Sequence, residues 1–442
     1  MAAQGPGAGC RCADRSGVVE PLPASTPEPG LPDTRARLPR PFWRLWASAM
    51  SSDLGDGLVL VALPLLALTL THDPLPVAGV AVADQLPAFL LAPLIGVLID
   101  RVDRRVVIVT VQVLQCAVAG GLAVMVAHGR VTLPMLYGAA ALLGASATAF
   151  SVCKSVLVPA LVPDVDLERA NGRLFVAEAS ARDLAGQGIG GMAFAAGRAV
   201  PFAADALSFL ASGALLLTCL PPRSVVVAGQ PSWRTDLVDG FRWFAGHREL
   251  QRLAAMVCTF AGCQSAAFAT LALFLTTQVH AGRVLFGVLL MVGSLGSLCG
   301  TVLAPRLAHR YGSWAATAIG GTAAGYAYVL LAAHTSPVVA GLGLAVEGWA
   351  VVVGNVASSS LRQRLIPDDL RGRVGTVFRM GLLGSGVVGA ALGGLLAGAL
   401  GMRSEMAAVA AAQLAMVAVL CRPRRPALRV VAAPRPVLSG AA

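Results

Sequence analysis

Apolar stretches of about twenty residues recur along the whole chain, separated by short charged segments. A transmembrane helix needs about 20 mostly apolar residues, because the hydrocarbon core of a bilayer is about 30 Å thick. Only 13% of the 442 residues are charged, whereas a soluble domain has about 25%. The sequence therefore predicts an all-α membrane protein with twelve spans, at roughly 44–70, 76–99, 106–127, 133–158, 172–197, 199–220, 253–279, 284–305, 313–333, 336–360, 374–399 and 403–421.

Basic residues are concentrated on alternate sides of these spans. If both termini lie in the cytoplasm, 27 of the 34 basic residues fall in cytoplasmic segments, and the outer loops hold only Arg130, Arg198, Arg283 and Arg403. Such a bias is typical of proteins whose positive loops stay inside. We therefore expect a multi-pass plasma-membrane protein with both termini cytoplasmic. All but one of the basic residues are arginine, which indicates a high-GC bacterial genome.

The same pattern decides against several classes of function. The net charge of +11 comes from these loops and so does not predict nucleic-acid binding. The sequence contains no nucleotide-binding loop and no Cys/His spacing typical of a metal site. Its nine cysteines lie in predicted spans or in the N-terminal tail, so no disulfide framework is expected. We expect a protein that is not an enzyme and has no cofactor, metal or nucleotide.

The spans divide six and six. Residues 41–220 and 253–421 each hold six, and 221–252 forms the longest internal loop. Residues 1–40 and 422–442 are rich in Pro and Ala, and we expect both to be disordered cytoplasmic tails.

The two halves are related by a repeat. A shift of 204 residues places Gly96 on Gly300 and Pro163 on Pro367, so LVPDVDLERANGR overlies LIPDDLRGRVGT. Two parallel repeats of six helices are typical of transporters. The sequence therefore predicts two pseudo-symmetric six-helix bundles.

The segment between the halves contains one amphipathic stretch, SWRTDLVDGFRWFAG. Helical spacing places Trp233, Leu237, Phe241 and Phe244 together on one face. This pattern predicts a helix that lies on the membrane surface and tethers the halves. An ordinary polar linker is the alternative.

The turn after the second predicted span, GVLIDRVDRR, carries the most specific motif. It matches the loop signature G-x-x-x-D-R-x-[GD]-R-[RK] at Gly96, Asp100, Arg101, Asp103, Arg104 and Arg105. In this motif the chain resembles the major facilitator superfamily. We interpret the turn as a cytoplasmic gating loop, in which Asp100 lies against the N-terminus of the eleventh span and the arginines hold it there. A purely topogenic positive loop is the alternative.

The resemblance extends over nearly the whole chain. SDLGDGLVLVALPLLAL, VPALVPDVDLERAN, DALSFLASGALLL and LRQRLIPDDLRGRVGTVF are similar to the branch that contains macrolide-efflux and siderophore-exporting proteins. Lys154 stands where that branch usually carries arginine, and Gln187 replaces the proline of the antiporter pattern in the fifth span. The R-x-x-Q-G pattern of many drug exporters is missing from the fourth span.

Charged residues inside a bilayer cost about 2.5 to 3.5 kcal/mol each on insertion scales, so each needs a partner or a role. Asp56, Asp84 and Glu347 lie well inside predicted spans, and we interpret them as candidates for proton coupling. Asp53 shares a helix face with Asp56 but lies closer to the cytoplasm. A structural role, in hydrogen bonds between helices, is the alternative for all but Glu347.

The resemblance also implies which spans line a central cavity. Spans 1 and 10 line it in the superfamily fold, and we expect its wall to include Asp56, Leu60, Gln264, Phe268, Glu347 and Asn355.

Four more charged groups receive structural interpretations. Glu178 and Arg182 are spaced for an ion pair within the fifth helix, beside Asp183. Asp205 opens the sixth span and is expected to cap it. Arg379 can reach water near the inner end of the eleventh span. Lys154 can do the same, or it meets Asp53 or an anionic substrate group.

Together these features predict a secondary active transporter. The resemblance implies export of a small organic or amphipathic compound, such as an antibiotic or a siderophore, in exchange for protons. Its partners would be the lipid bilayer, the substrate and protons, and we expect a monomer. A proton-coupled importer or facilitator, or a membrane sensor or assembly protein that does not transport, are the alternatives.

Overall fold

The computed structural model describes residues 38–101, 104–218, 233–367 and 370–421. Of residues 92–101, 104–105, 156, 164, 168, 233–237 and 371 it describes the backbone alone. The structure describes the gating-loop motif only in part. Asp103 falls outside the described residues, and of the other five positions the backbone alone is described. The expected tails also lie outside the described residues, apart from 38–40.

All regular elements in the described part of the chain are helices, as the sequence predicts. The first half contains α1 (Arg40–Ala67), α2 (Pro74–Arg101), α3 (Arg104–Ala127), α4 (Leu133–Leu161), a 3₁₀ turn (Asp164–Asp166), α5 (Leu167–Glu178), a π-helical segment (Ala179–Gly186), α6 (Gln187–Ala196) and α7 (Val200–Leu217). The second half contains α8 (Trp233–Gly246), α9 (Arg248–Thr277), α10 (Arg283–Tyr311), α11 (Ser313–Ala333), α12 (Pro337–Leu365), α13 (Arg371–Leu400) and α14 (Met402–Leu420).

Eleven helices in the described ranges are long and apolar enough to cross a membrane. The predicted fifth span, 172–197, instead forms three consecutive pieces, α5, the π-helical segment and α6. A hydropathy window detects apolar length but not a change of helical pitch, so the sequence missed this interruption. Such π segments occur often at functional sites.

The predicted repeat is visible in the helix limits. The fourth span, Leu133–Leu161, and the tenth, Pro337–Leu365, are both 29 residues long and are related by the shift of 204 residues that aligns the sequences. Each ends just before the proline that the shift superimposes, Pro163 or Pro367, because the residue before proline disfavours helix.

Small residues allow the helices to pack closely. A Cβ on Gly348 would overlap the carbonyl of Gly293, and one on Gly296 would overlap that of Ala345, so α10 and α12 touch through their backbones. Close approach through glycine is a common means of association between membrane helices, because lipid provides no hydrophobic drive.

The helices α1 to α7 pack mainly on one another, as do α9 to α14, and two seams join the sets. In the first seam α2 lies against α13, and in the second α6 and the π-helical segment lie against α10. The helix predicted between the halves forms as α8. It packs on α13, where Asp239 lies 3.9 Å from Arg373 and Trp243 and Phe244 join an apolar cluster.

Candidate functional site

In the part of the chain that the structure describes, two cavities are lined by acids from inside the predicted spans, and the larger of these two lies in the second half. It has a volume of about 280 Å³ and is lined chiefly by α9, α10, α11 and α12. The Glu347 carboxylate reaches it from α12 and accepts a hydrogen bond from Gln264 Nε2 at 3.1 Å. Tyr328 Oη donates to the same carboxylate oxygen at 3.5 Å. The side-chain partners of Glu347 in this cavity are therefore neutral.

The π-helical segment closes this cavity from the first half. Asp183 and Gln187 line it, and Gln187 Nε2 donates to Asp183 Oδ1 at 3.3 Å. Ser294 Oγ of α10 donates to the backbone carbonyl of Asp183 at 2.5 Å. This bond crosses the seam at the cavity wall, so the cavity includes groups from both halves.

The smaller cavity lies in the first half and has a volume of about 120 Å³. Three carboxylates line it, from Asp56 of α1, Asp84 of α2 and Asp205 of α7, together with the guanidinium of Arg182. Phe268 of α9 lines both cavities. The Phe268 side chain therefore lies between the larger and the smaller cavity.

Glycines bring the neighbouring helices against these acids. A Cβ on Gly55 would overlap Asp205 and Ser208, and one on Gly144 would overlap Asp84. Gly57 lies in the same way against the carbonyl of Arg182 and against Gly186. Close packing of α1 on the π-helical segment fits the change of pitch, which directs Arg182 into the smaller cavity and Asp183 into the larger.

Lys154 forms a separate charged cluster. Its Nζ atom lies 3.3 Å from Glu178 Oε2 and 3.9 Å from Asp53 Oδ2, and so links α4 to α5 and α1. Of the three alternatives for Lys154, the structure contains the contact with Asp53. The expected ion pair of Glu178 with Arg182 does not form: within the described residues these groups are not within 4 Å, because the π-helical segment begins directly after Glu178.

The expectation for Asp205 is wrong. Helix α7 begins at Val200, its N-terminus has no side-chain cap, and Asp205 lies in the second turn, fully buried. Its Oδ1 accepts a weak hydrogen bond from Ser208 Oγ at 3.4 Å, and its Oδ2 has no partner in the described structure. The predicted span starts at residue 199, one residue before α7, so the sequence already placed Asp205 inside the span, and its position was the available signal.

Two further polar residues were missed. Glu405 of α14 is fully buried, and its Oε2 accepts a hydrogen bond from Thr270 Oγ1 at 3.2 Å. The sequence places Glu405 at the edge of a span, where an acid is expected to reach water and needs no partner. Tyr328 was one aromatic among many, and only packing brings it to Glu347.

The other expected site residues divide between the two cavities. Leu60 lines the smaller cavity beside Asp56 and Asp84, and Gln264, Phe268 and Glu347 line the larger one. Asn355 is exposed and lines neither of these cavities. Arg379 is also exposed.

Both seams are tight at the predicted outer end. In one, Gly191 of α6 faces the backbone of Arg283 and Gly287, and a Cβ there would lie 2.5 Å from the Arg283 carbonyl oxygen. In the other, a Cβ on Gly394 of α13 would lie 2.6 Å from Ala78 of α2. These contacts continue inward to Ser294 and Phe89, respectively. Both seams are therefore closely packed on the side from which α2 and α10 begin.

Comparison with known proteins agrees with this architecture. A sequence model of the family described as transmembrane secretion effector matches residues 38–435. Uncharacterised transporters of the MFS type from Mycobacterium tuberculosis and Mycobacterium bovis are each 37% identical over 101 residues. That match spans 22% of this chain and 23% of either relative's length.

Solved structures share the fold at low sequence identity. A mutant of the nucleoside transporter NupG superimposes with a TM-score of 0.73 at 14% identity, covering 86% of this chain and 98% of that one. A bacterial homologue of the iron transporter ferroportin, in an inward-facing state, gives 0.66 at 21% identity, covering 86% and 97%. A bacterial homologue of the lysosomal transporter Spinster, inward-facing and unoccupied, gives 0.65 at 15% identity, covering 86% and 95%.

The all-α fold of the major facilitator type is thereby confirmed. The similarity to these structures concerns the fold alone, whereas the family match covers most of the sequence. The chain belongs to the transmembrane secretion effector family of multi-pass transporters in the major facilitator superfamily.

Proposed function

We propose that this protein exports a small organic or amphipathic compound in exchange for protons, by alternating access of two six-helix bundles. The observation that carries the proposal is the placement of partly buried acids, from inside the spans, in cavities on both sides of the seams. Asp56 and Asp84 line the smaller cavity and Glu347 lines the larger one. An acid in the membrane interior is costly and therefore marks a functional site by default.

Proton coupling follows from the surroundings of Glu347. Its described contacts are with the neutral side chains of Gln264 and Tyr328, so no cation holds it in the ionised form. The ionised carboxylate has a higher free energy when the cavity is closed and dry than when water enters it. Glu347 would therefore bind a proton in one state and release it in the other, with Asp56 and Asp84 as further carriers.

Alternating access is supported by the asymmetry of the seams. The glycine contacts of α6 with α10 and of α13 with α2 close the predicted outer end. Opening that end requires the bundles to rock apart at these contacts. The gating-loop motif at 96–105 would close the other end in the opposite state.

The direction of transport rests on the family description, which names secretion, and on the resemblance to macrolide and siderophore exporters. The solved relatives include a nucleoside transporter and a homologue of an iron transporter, so the shared fold does not select a substrate. An importer or facilitator with the same proton sites is the second candidate.

An accumulation screen in an efflux-deficient bacterial host tests the proposal. Cells that express the protein should accumulate less of at least one compound class than cells with an empty vector, and a protonophore should abolish the difference. Glu347→Gln should abolish it too, because glutamine keeps the hydrogen bond to Gln264 but carries no exchangeable proton.

Glu405→Gln is the matched control, since Glu405 also lies inside a span and accepts a hydrogen bond from a neutral side chain, but lines neither cavity. This variant should retain export. Protonophore-insensitive export, or full export by Glu347→Gln, would contradict proton coupling. Higher accumulation on expression would favour import, and no effect on any compound would favour the non-transporting alternative.

A further inference from the structure

We propose that the smaller cavity is a subsite for an organic cation, and that it holds the protonated amine of an amphipathic substrate. The inference rests on the proposed transport function and adds to it a substrate class. Three observations carry it: an excess of acids, an unpartnered buried carboxylate oxygen and an apolar wall that includes Phe268, which also lines the larger cavity.

The cavity contains more acid than base. Asp56, Asp84 and Asp205 line it, and Arg182 is the single basic residue among its lining residues in the described structure. Within the described residues Arg182 forms no ion pair within 4 Å, so it does not directly neutralise any one of these acids. Lys154, the next cation, is held by Asp53 and Glu178. The cavity therefore favours a positive guest and disfavours an anionic one.

Asp205 supplies the specific binding group. The residue is fully buried and lines the cavity, and its Oδ2 has no hydrogen-bond partner in the described structure. A buried carboxylate oxygen without a donor is costly, and an N–H of an ammonium group would satisfy it with a charge-assisted hydrogen bond. This unpartnered oxygen distinguishes the cavity from a general acidic cluster.

The guest is organic and not a metal ion. In the described part of the chain, no group of three or more acids, histidines or cysteines is close enough to hold a metal. The remaining wall is apolar and includes Val59, Leu63 and Val77. A volume of about 120 Å³ accommodates an ammonium head and a short alkyl segment, and a longer tail would have to extend past Phe268, the residue that lines both cavities. The ring of Phe268 can also attract the cation through its face.

A matched series of small ligands tests this inference. Hexylamine, 1-hexanol and hexanoate share one chain length and differ in charge, and near neutral pH they are cationic, neutral and anionic. Binding to the purified full-length protein in detergent is measured by titration calorimetry and by the shift of the thermal unfolding midpoint. Hexylamine should bind and raise the midpoint, and the other two should not. Micelles without protein provide the background for each ligand.

Two variants locate the site. Asp205→Asn should weaken hexylamine binding about tenfold or more, since it removes the charge from the hydrogen bond. Glu405→Gln removes an equally buried acid outside the cavity and should leave binding unchanged. If Asp205→Asn does not fold, Asp84→Asn tests the same cavity, and the ligand series on the unaltered protein needs no variant.

Equal binding of all three ligands, or tighter binding of hexanoate, would overturn the inference. Retention of hexylamine binding by both Asp205→Asn and Asp84→Asn would overturn it as well. These outcomes are separate from failure of the proposed function: a protein that exports only neutral or anionic compounds keeps its function and loses this subsite. Amine binding without transport would leave the subsite and remove the function.

Discussion

The glycine contact between α6 and α10 allows a quantitative test of alternating access. A Cβ on Gly191 would lie 2.5 Å from the carbonyl oxygen of Arg283 and 2.8 Å from the amide nitrogen of Gly287. Ordinary van der Waals contact begins near 3.4 Å, so Gly191→Ala demands a separation of about 0.9 Å between the two helices. Both opposing groups are backbone atoms and cannot rotate away.

Overpacking of this kind costs about 1–3 kcal/mol. The cost is paid only in the state in which the seam is closed, because opening at the predicted outer end separates the two helices. The equilibrium between the states should therefore shift toward the open seam by about 5-fold to 150-fold.

Distances between two spin labels report this shift. Arg130→Cys and His334→Cys place one exposed label on each half at the predicted outer end, in a background without the nine native cysteines. Pulsed electron spin resonance should give one short distance for the parent protein. Gly191→Ala should add a second, longer distance.

Gly121→Ala is the matched control. It makes the same chemical change inside helix α3, where a Cβ would have no heavy atom within 4 Å. Both variants gain the same intrinsic helix preference of alanine over glycine, so any difference between them comes from the seam. An unchanged distance distribution in Gly191→Ala would refute the idea that this contact closes the predicted outer end.

Three further predictions concern the polar contacts between helices, each read as the thermal unfolding midpoint of the purified protein. Ser212→Ala removes the hydrogen-bond partner of Gln112 Nε2 at 2.5 Å and of Ser48 Oγ at 2.7 Å, and should lower the free energy of unfolding by about 1–3 kcal/mol. Its control is Ser155→Ala at an exposed position, which should lower it by less than about 0.5 kcal/mol. Lys154→Met leaves the buried Asp53 without its cation and should lower the free energy of unfolding by about 3 kcal/mol. Adding Asp53→Asn should restore most of that loss. No recovery in the double variant would mean that the two residues are not coupled. Thr270→Val removes the donor to Glu405 and should cost about 1–3 kcal/mol, while Thr276→Val, whose hydroxyl bonds only its own helix, should be near neutral.

The sequence predicted those parts of the fold that depend on apolar length and on charge in the loops. The starts of α4 and α12, within one residue, and the existence of α8 followed from such local patterns, whereas the two helices extend past their predicted ends at 158 and 360 to Leu161 and Leu365. The π-helical segment did not, because a local pattern does not show contacts such as that of Gly57 with the Arg182 carbonyl, which joins residues far apart in the chain. Helical spacing assumes a constant pitch, so it paired Glu178 with Arg182 when Glu178 in fact binds Lys154.

The candidate site was predicted in part for the same reason. Hydropathy identified Asp56, Asp84 and Glu347 as acids deep in apolar spans, and each of them lines a cavity. It offered no way to rank Asp205, Glu405 or Tyr328, because burial at a span edge and contacts across helices depend on tertiary packing. Asn355 shares a helix with Glu347 but is exposed, since two helical turns carry it past the cavity.

The positions of the polar contacts indicate how a substrate would move the bundles. A polar contact lies at cavity level beside each seam. Gln85 of α2, which lies against Gly386 of α13, donates to Ser265 of α9 at 3.0 Å, and Ser294 of α10 donates to the Asp183 carbonyl in the π-helical segment. Gln85 lines the smaller cavity, and Asp183 and Ser294 line the larger. A ligand shifts a conformational equilibrium only through contacts that differ between the states. These residues line the cavities and also join the two halves, so a bound substrate or proton would compete for their hydrogen bonds. Filling the cavities would therefore shift the equilibrium between closed and open seams.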